Sequence, residues 1–271
     1  MTSFHNNQAL KDLMVKEVEK HRKADQIIQG TYGVEDGKWK GCAVACSLRS
    51  LDIIQGKKTK TEYNDHKRYE TDLGIPEWLA RLEDTIFENL PTDEALKWPT
   101  QFIKAIPVGV DLEPVKWKFG AYLMKENINR VKALNISDEL KSEVIDAIRK
   151  VLAVHQNAIK TGVWDKSAAK SAAKSAAKSA VRSARSARFA AEFAAEFAAQ
   201  SAWSAAESTA WSTAWSTTWF AAEPAVWAAA ESATQSAESA VWAAAESATQ
   251  SAESAAYQKY AKKLLKILKN A

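Results

Sequence analysis

The sequence predicts an all-α protein, a helical N-terminal part packed on an Ala/Ser/Trp-rich helical bundle with internal repeats. Three observations predict it. Apolar residues recur three and four positions apart through the first part, the spacing of one helix face. β-branched runs are brief, and Val108 to Val110 lies between Pro107 and Pro114, too short and too close to proline to make a sheet. Beyond Gly162 the chain is almost wholly alanine, serine, charged or amide residues, threonine and aromatics, and all nine glycines lie at or before that residue. A chain of 271 residues suits about two domains, expected as 1–162 and 163–271.

From Asn7 to Gln29, Leu10, Leu13, Met14, Val18, Ile27 and Ile28 among many charges predict a surface helix ending near Gly30. Thr31 to Lys40 holds Gly33 and Gly37 and reads as a loop or small hairpin. A helix follows from about Gly41 to Ile54, closed by Gly56. Lys57, Lys58 and Lys60 make a solvated connection, and the next helix carries His66, Tyr69 and Glu70. Pro76 opens a helix whose Leu79, Leu82, Ile86, Phe87 and Leu90 form one apolar stripe. Trp98 with Pro99, then Pro107 and Pro114, separate a helix holding Phe102, Ile103 and Ile106 from one holding Trp117, Phe119, Tyr122 and Leu123. Ser137, Asp138 and Glu139 open a further helix that buries Val144, Ile145, Ile148, Val151 and Leu152.

The tail is periodic. Lys166 to Lys178 repeats Lys-Ser-Ala-Ala, Phe189, Phe193 and Phe197 recur every four residues, and so do Trp211, Trp215 and Trp219. Ala225 to Ser239 is copied unchanged as Ala240 to Ser254, a fifteen-residue tandem repeat that fits four turns at about 3.75 residues each. Lys166 to Arg188 has seven bases and no acid, Phe189 to Gln258 eight glutamates and no base, and Lys259 to Ala271 five lysines, so basic helices are expected beside the acidic one. Trp203, Trp211, Trp215, Trp219, Trp227 and Trp242 read as bundle core in preference to stacking platforms for bases.

The residues Gly41, Cys42 and Cys46, the segment His66 to Glu70, the run Leu73 to Pro91, the Trp98–Pro99 pair and the Trp-studded tail together resemble a group of uncharacterised phage and bacterial proteins. The resemblance implies a phage source and a setting of host takeover or anti-defence. It transfers no catalytic residue.

Chemistry concentrates in one stretch. Gly37 and Gly41 bracket Lys38, Trp39 and Lys40 just before a helix start, where free N–H groups and the helix dipole favour an anion. With Arg49 adding charge, the expected ligand set is Lys38, Trp39, Lys40, Gly41, Cys42 and Arg49: phosphates on the lysines and a flat ring on Trp39. No Walker pattern is present. The same residues also read as an exposed loop with Trp39 turned inward. The function expected from them is non-catalytic binding or sequestration of an anionic small molecule, such as a signalling nucleotide.

Two alternatives stand beside it. A cysteine-dependent hydrolase would use Cys42, its thiol pKa lowered at the helix start, with His66 as base and Glu70 as orienting carboxylate. A helical protein–protein interaction scaffold would use the tryptophan ladder instead. Cys42 and Cys46 equally suit small buried packing positions, and a zinc site of Cys42, Cys46, His66 and Glu70 has an unusual cysteine spacing, so neither metal nor cofactor is expected. His5, His21 and His155 read as surface residues.

Composition limits the partners. A net charge of +4 is too mild for sequence-specific nucleic-acid binding, and charged residues interrupt every long alanine-rich run, so no membrane span is expected. Two cysteines four residues apart and no apolar signal core after Met1 predict a reduced, cytoplasmic protein, in the host cytoplasm if phage-encoded. Homo-oligomers are compatible with this reading.

Overall fold

The computed structural model describes residues 1–134, 137–172 and 239–271. The fold is all-α with one small hairpin, as the periodicity predicts. The chain divides into two compact units, Met1–Lys116 together with Ala243–Ala271, and Trp117–Trp242. The boundary expected near Gly162 thus falls within the second unit. Gly162 has a φ of 72° and caps the helix that ends at Thr161.

In the first unit a 3-10 turn, Ser3–Asn6, leads into α1 (Gln8–Lys23), where the Asn7 side chain accepts from the Leu10 N–H at 3.0 Å. The helix stops before Gly30 because Asp25 takes a φ of 56°, after which backbone bonds turn sideways. Ile28 N–H donates to Gly41 at 3.0 Å, and Gly41 N–H donates to Gln26 at 2.9 Å. β1 (Val34–Asp36) then pairs antiparallel with β2 (Lys38–Lys40), Val34 opposite Lys40.

The centre of this unit is α2 (Ala43–Ile54), packed by α1, by α4 (Glu77–Asn89) and by α6 (Trp98–Ala105). Ala43 through Leu48, Ser50, Leu51 and Asp52 are all buried, so the first turns of the helix are covered on every side while Ile53 at its end is exposed, and its small residues permit that close approach. Between α2 and α4 lies the short α3 (Lys67–Leu73), tied to α2 by Arg68, which reaches Asp52 at 2.7 Å and Asp72 at 3.1 Å. The predicted stripe of α4 is buried at all five positions, Leu79, Leu82, Ile86, Phe87 and Leu90. A single turn, α5 (Thr92–Ala95), connects it to α6.

α7 (Glu113–Ala133) begins in the first unit and runs into the second, which α8 (Asp138–Thr161) continues. Ser137 Oγ accepts from the Leu140 N–H at 3.3 Å, the cap expected there. Val144, Ile145, Ile148 and Val151 are buried and Leu152 half-buried. His155 is also buried, contrary to the surface placement expected of it. It follows Ile148 by seven residues and Val151 by four, hence falls on the same face. His21 is buried for the same reason, three residues after Val18 and seven after Met14, while His5 is exposed. A helical stretch over 166–172 starts where Asp165 accepts from the Ala168 N–H at 2.8 Å.

α9 (Ser239–Leu268) carries the second copy of the fifteen-residue repeat, 240–254. Its later part buries Tyr260, Leu264, Ile267 and Leu268, and Gln258 donates to Glu94 at 2.7 Å within the first unit. The phenylalanine and tryptophan ladders, the first repeat copy and the expected pairing of basic with acidic helices lie outside the described residues. Among the described residues no helix is long and apolar enough to cross a membrane.

Candidate functional site

Strand alternation decides the fate of the expected anion site. In β2 the side chains of Lys38 and Lys40 point one way and Trp39 the other, into the core, where it is only 3% exposed. Its indole N–H donates to Thr61 O at 2.7 Å, the Arg49 guanidinium carbon lies 4.5 Å from the ring centre, and His21 and Tyr63 adjoin it at 5.5 and 6.2 Å. Trp39 therefore offers no open face to a flat ligand, and the inward reading of this loop holds. Gly41 serves the same packing, since a Cβ there would stand 2.8 Å from the indole. Lys38 donates to Ala24 O, Lys40 pairs with Asp25 at 3.2 Å, and Arg49 donates to Lys60 O at 2.9 Å. These cations clasp three loops together.

The start of α2 is occupied in another way. Cys42 is its N-cap, accepting from the Ala45 N–H at 3.5 Å through Sγ, and its own N–H donates to Thr31 O at 2.8 Å. Beside the thiol stand Asp84 and Glu88, four residues apart on one face of α4, with one ligand atom from each of the three residues within 4.8 Å of the others. The positive end of the α2 dipole faces carboxylates of the protein itself, which repel a free phosphate from the same place.

Asp84 is the hub. Its Oδ2 accepts from the Tyr32 hydroxyl at 2.8 Å and from His66 Nε2 at 3.0 Å, whereas its Oδ1 has no hydrogen-bond partner although the residue is only 8% exposed. Glu88 accepts from the Gly30 N–H at 2.7 Å; burial, then the Asp84 charge, raises its carboxyl to about 7. The Cys42 thiol is pushed up as well, by burial first and by Asp84 second, the reverse of the lowering expected from its helix start.

The hydrolase constellation is not assembled. His66 Nδ1 contacts Asn64 O at 3.1 Å and Nε2 contacts Asp84 at 3.0 Å, so both ring nitrogens face these oxygens and neither is hydrogen-bonded to the Cys42 thiol. Glu70 accepts from the Glu77 N–H at 3.2 Å, at the start of α4. Asp84 holds the position that Glu70 was expected to fill. Cys46 donates to Gly41 O at 3.4 Å, and among the described residues the donors that converge on Cys42 are Asp84 and Glu88, not the Cys46, His66 and Glu70 of the zinc alternative set aside above.

A second buried acid adjoins this cluster. Glu83 is fully buried beside Tyr69, and burial raises its carboxyl well above the ordinary range, with the Asp84 charge adding to the effect. The sequence carried a signal for it: Glu83 lies four residues from both Leu79 and Phe87, inside the apolar stripe of α4. Asp84 and Glu88 carried a weaker one, their shared spacing of four. No protein-family model, curated protein or solved structure matches this chain.

Proposed function

We propose that this protein is a non-catalytic binder of a divalent cation of the zinc class, held by Cys42, Asp84 and Glu88. The observation that supports it is the convergence of one sulfur and two carboxylate donors within 4.8 Å, together with an Asp84 Oδ1 that is buried and has no hydrogen-bond partner. Tetrahedral zinc places its ligand atoms at about 2.0 to 2.3 Å from the metal, so donors this close need shifts on the order of 1 Å to close on it. The sulfur donor favours zinc-class ions over magnesium and calcium, which take oxygen ligands.

Binding would replace the protons of Cys42 and Glu88, both of which the metal-free site holds more tightly than water does. Three protein donors leave a fourth tetrahedral position. That position is where the anionic small molecule expected from the sequence, a phosphate-bearing one included, would coordinate the metal directly, and sequestration in an anti-defence setting would follow from that bond.

Titration calorimetry with zinc chloride tests the reading. One equivalent should bind at pH 7.5 to the native chain, with affinity lost in Cys42→Ser and in Asp84→Asn. Cobalt substitution should give a thiolate charge-transfer band that Cys42→Ser removes. A native protein that binds no zinc, or an Asp84→Asn variant that binds it unchanged, overturns the proposal.

A further inference from the structure

We infer that Tyr32 is a positioning residue for this site, fixing Asp84 as a one-oxygen ligand and thereby setting which cation the site selects. The inference rests on the cation-binding reading above. Its basis is the unequal treatment of the two oxygens of one buried carboxylate: Oδ2 accepts two hydrogen bonds, from Tyr32 and His66, and Oδ1 accepts none. A carboxylate held by one oxygen presents the other in a defined direction.

The placement of Tyr32 is itself well determined. Thr31 O accepts from the Cys42 N–H at 2.8 Å, Tyr32 O accepts from the Tyr63 N–H at 2.8 Å, and the Gly30 N–H holds Glu88, so the main chain is pinned on both sides of the residue. Gly33 follows with a φ of 140°, and a Cβ there would lie 1.9 Å from Thr61 O, so the turn admits glycine alone. The ring stands edge-on to His66 at 5.7 Å, 85° between planes, which aligns both Oδ2 donors together. The residue is 38% exposed, and its hydroxyl is held by Asp84 at 2.8 Å.

Selectivity follows from coordination. Zinc accepts a carboxylate through one oxygen, and one from each acid with the Cys42 sulfur fills three of its four positions. Calcium takes six to eight oxygens and commonly uses both oxygens of a carboxylate. Occupying Oδ2 with two protein donors therefore handicaps calcium and leaves zinc untouched.

The experiment compares zinc and calcium binding by calorimetry in the native chain, in Tyr32→Phe, and in the pair His66→Gln and His66→Leu. Tyr32→Phe should lower zinc affinity about 10- to 100-fold, the usual effect of losing an outer-shell partner, and narrow the zinc-to-calcium ratio. His66→Gln, which keeps a donor, should retain more zinc affinity than His66→Leu. Native chain that binds zinc, with Tyr32→Phe matching it in both affinity and ratio, overturns the inference and leaves the cation site standing. Native chain that binds no zinc overturns the cation site itself. A general loss of structure in Tyr32→Phe would weaken both ions alike, and an unchanged ratio alongside weakened binding also counts against the positioning role.

Discussion

Gly120 of α7 lies against the ring of His155 in α8, so closely that a Cβ built at 120 would stand 2.2 Å from Cε1. The ring is buried and cannot swing out to make room. Gly120→Ala should therefore cost about 1 to 3 kcal/mol by overpacking, read as a lower urea midpoint. The same substitution made in a His155→Ala background should cost much less, because the two effects share one volume. Equal costs in both backgrounds would show that the contact does not limit α7–α8 packing.

The Arg68–Asp52 pair should matter far more than Arg68–Asp72, although the distances are similar at 2.7 and 3.1 Å. Asp52 is 2% exposed, and removing it strands a guanidinium that is itself largely covered. Asp52→Ala is expected to destabilise by about 3 kcal/mol, and Asp72→Ala, an i,i+4 partner nearer solvent, by less than about 1. Chemical denaturation of both variants measures the contrast.

Trp39 and its flanking lysines separate structure from binding. Trp39→Ala should cost about 3 to 5 kcal/mol, the price of emptying a buried aromatic position. The Lys38→Ala, Lys40→Ala double variant should stay within about 1 kcal/mol of native stability and bind zinc as the native chain does. Loss of zinc affinity in the double variant would place the lysines in the site after all.

Glu88 sets a pH window for the metal-free protein. Its carboxyl sits near 7 when folded against an ordinary 4.5, so the folded state binds its proton more tightly than the unfolded chain. The resulting stability is fully present below about pH 4.5 and is lost as pH rises through 7. Metal-free native protein should thus show a downward slope in thermal midpoint over that window, and Glu88→Gln should flatten it. A slope unchanged in Glu88→Gln would assign the titration to another group.

Helices were legible in proportion to how cleanly their apolar residues kept one face. α4 and α8 show it: the stripe of Leu79, Leu82, Ile86, Phe87 and Leu90 and the Ser137 cap can be read directly from spacing. α1 was overextended because Ile27 and Ile28 continue an apolar pattern that the positive φ of Asp25 interrupts, and a single backbone dihedral leaves little trace in sequence. Cys42 and His66 were picked out by residue type and do meet Asp84, one by proximity and the other by hydrogen bond. The sign of the site was not legible. Positive residues at Lys38 and Lys40 are adjacent in sequence, whereas Asp84 and Glu88 reach Cys42 only through the packing of α4 on α2.

The grouping of Ala243–Ala271 with Met1–Lys116 has a consequence for biosynthesis. Residues 117–242 must be translated in between, which at about 5 to 20 residues per second takes on the order of ten seconds. Through that interval the first unit waits without the helix that carries Leu264 and Leu268, both fully buried once α9 is in place. A message truncated anywhere between those segments yields a first unit without the helix that carries Leu264 and Leu268.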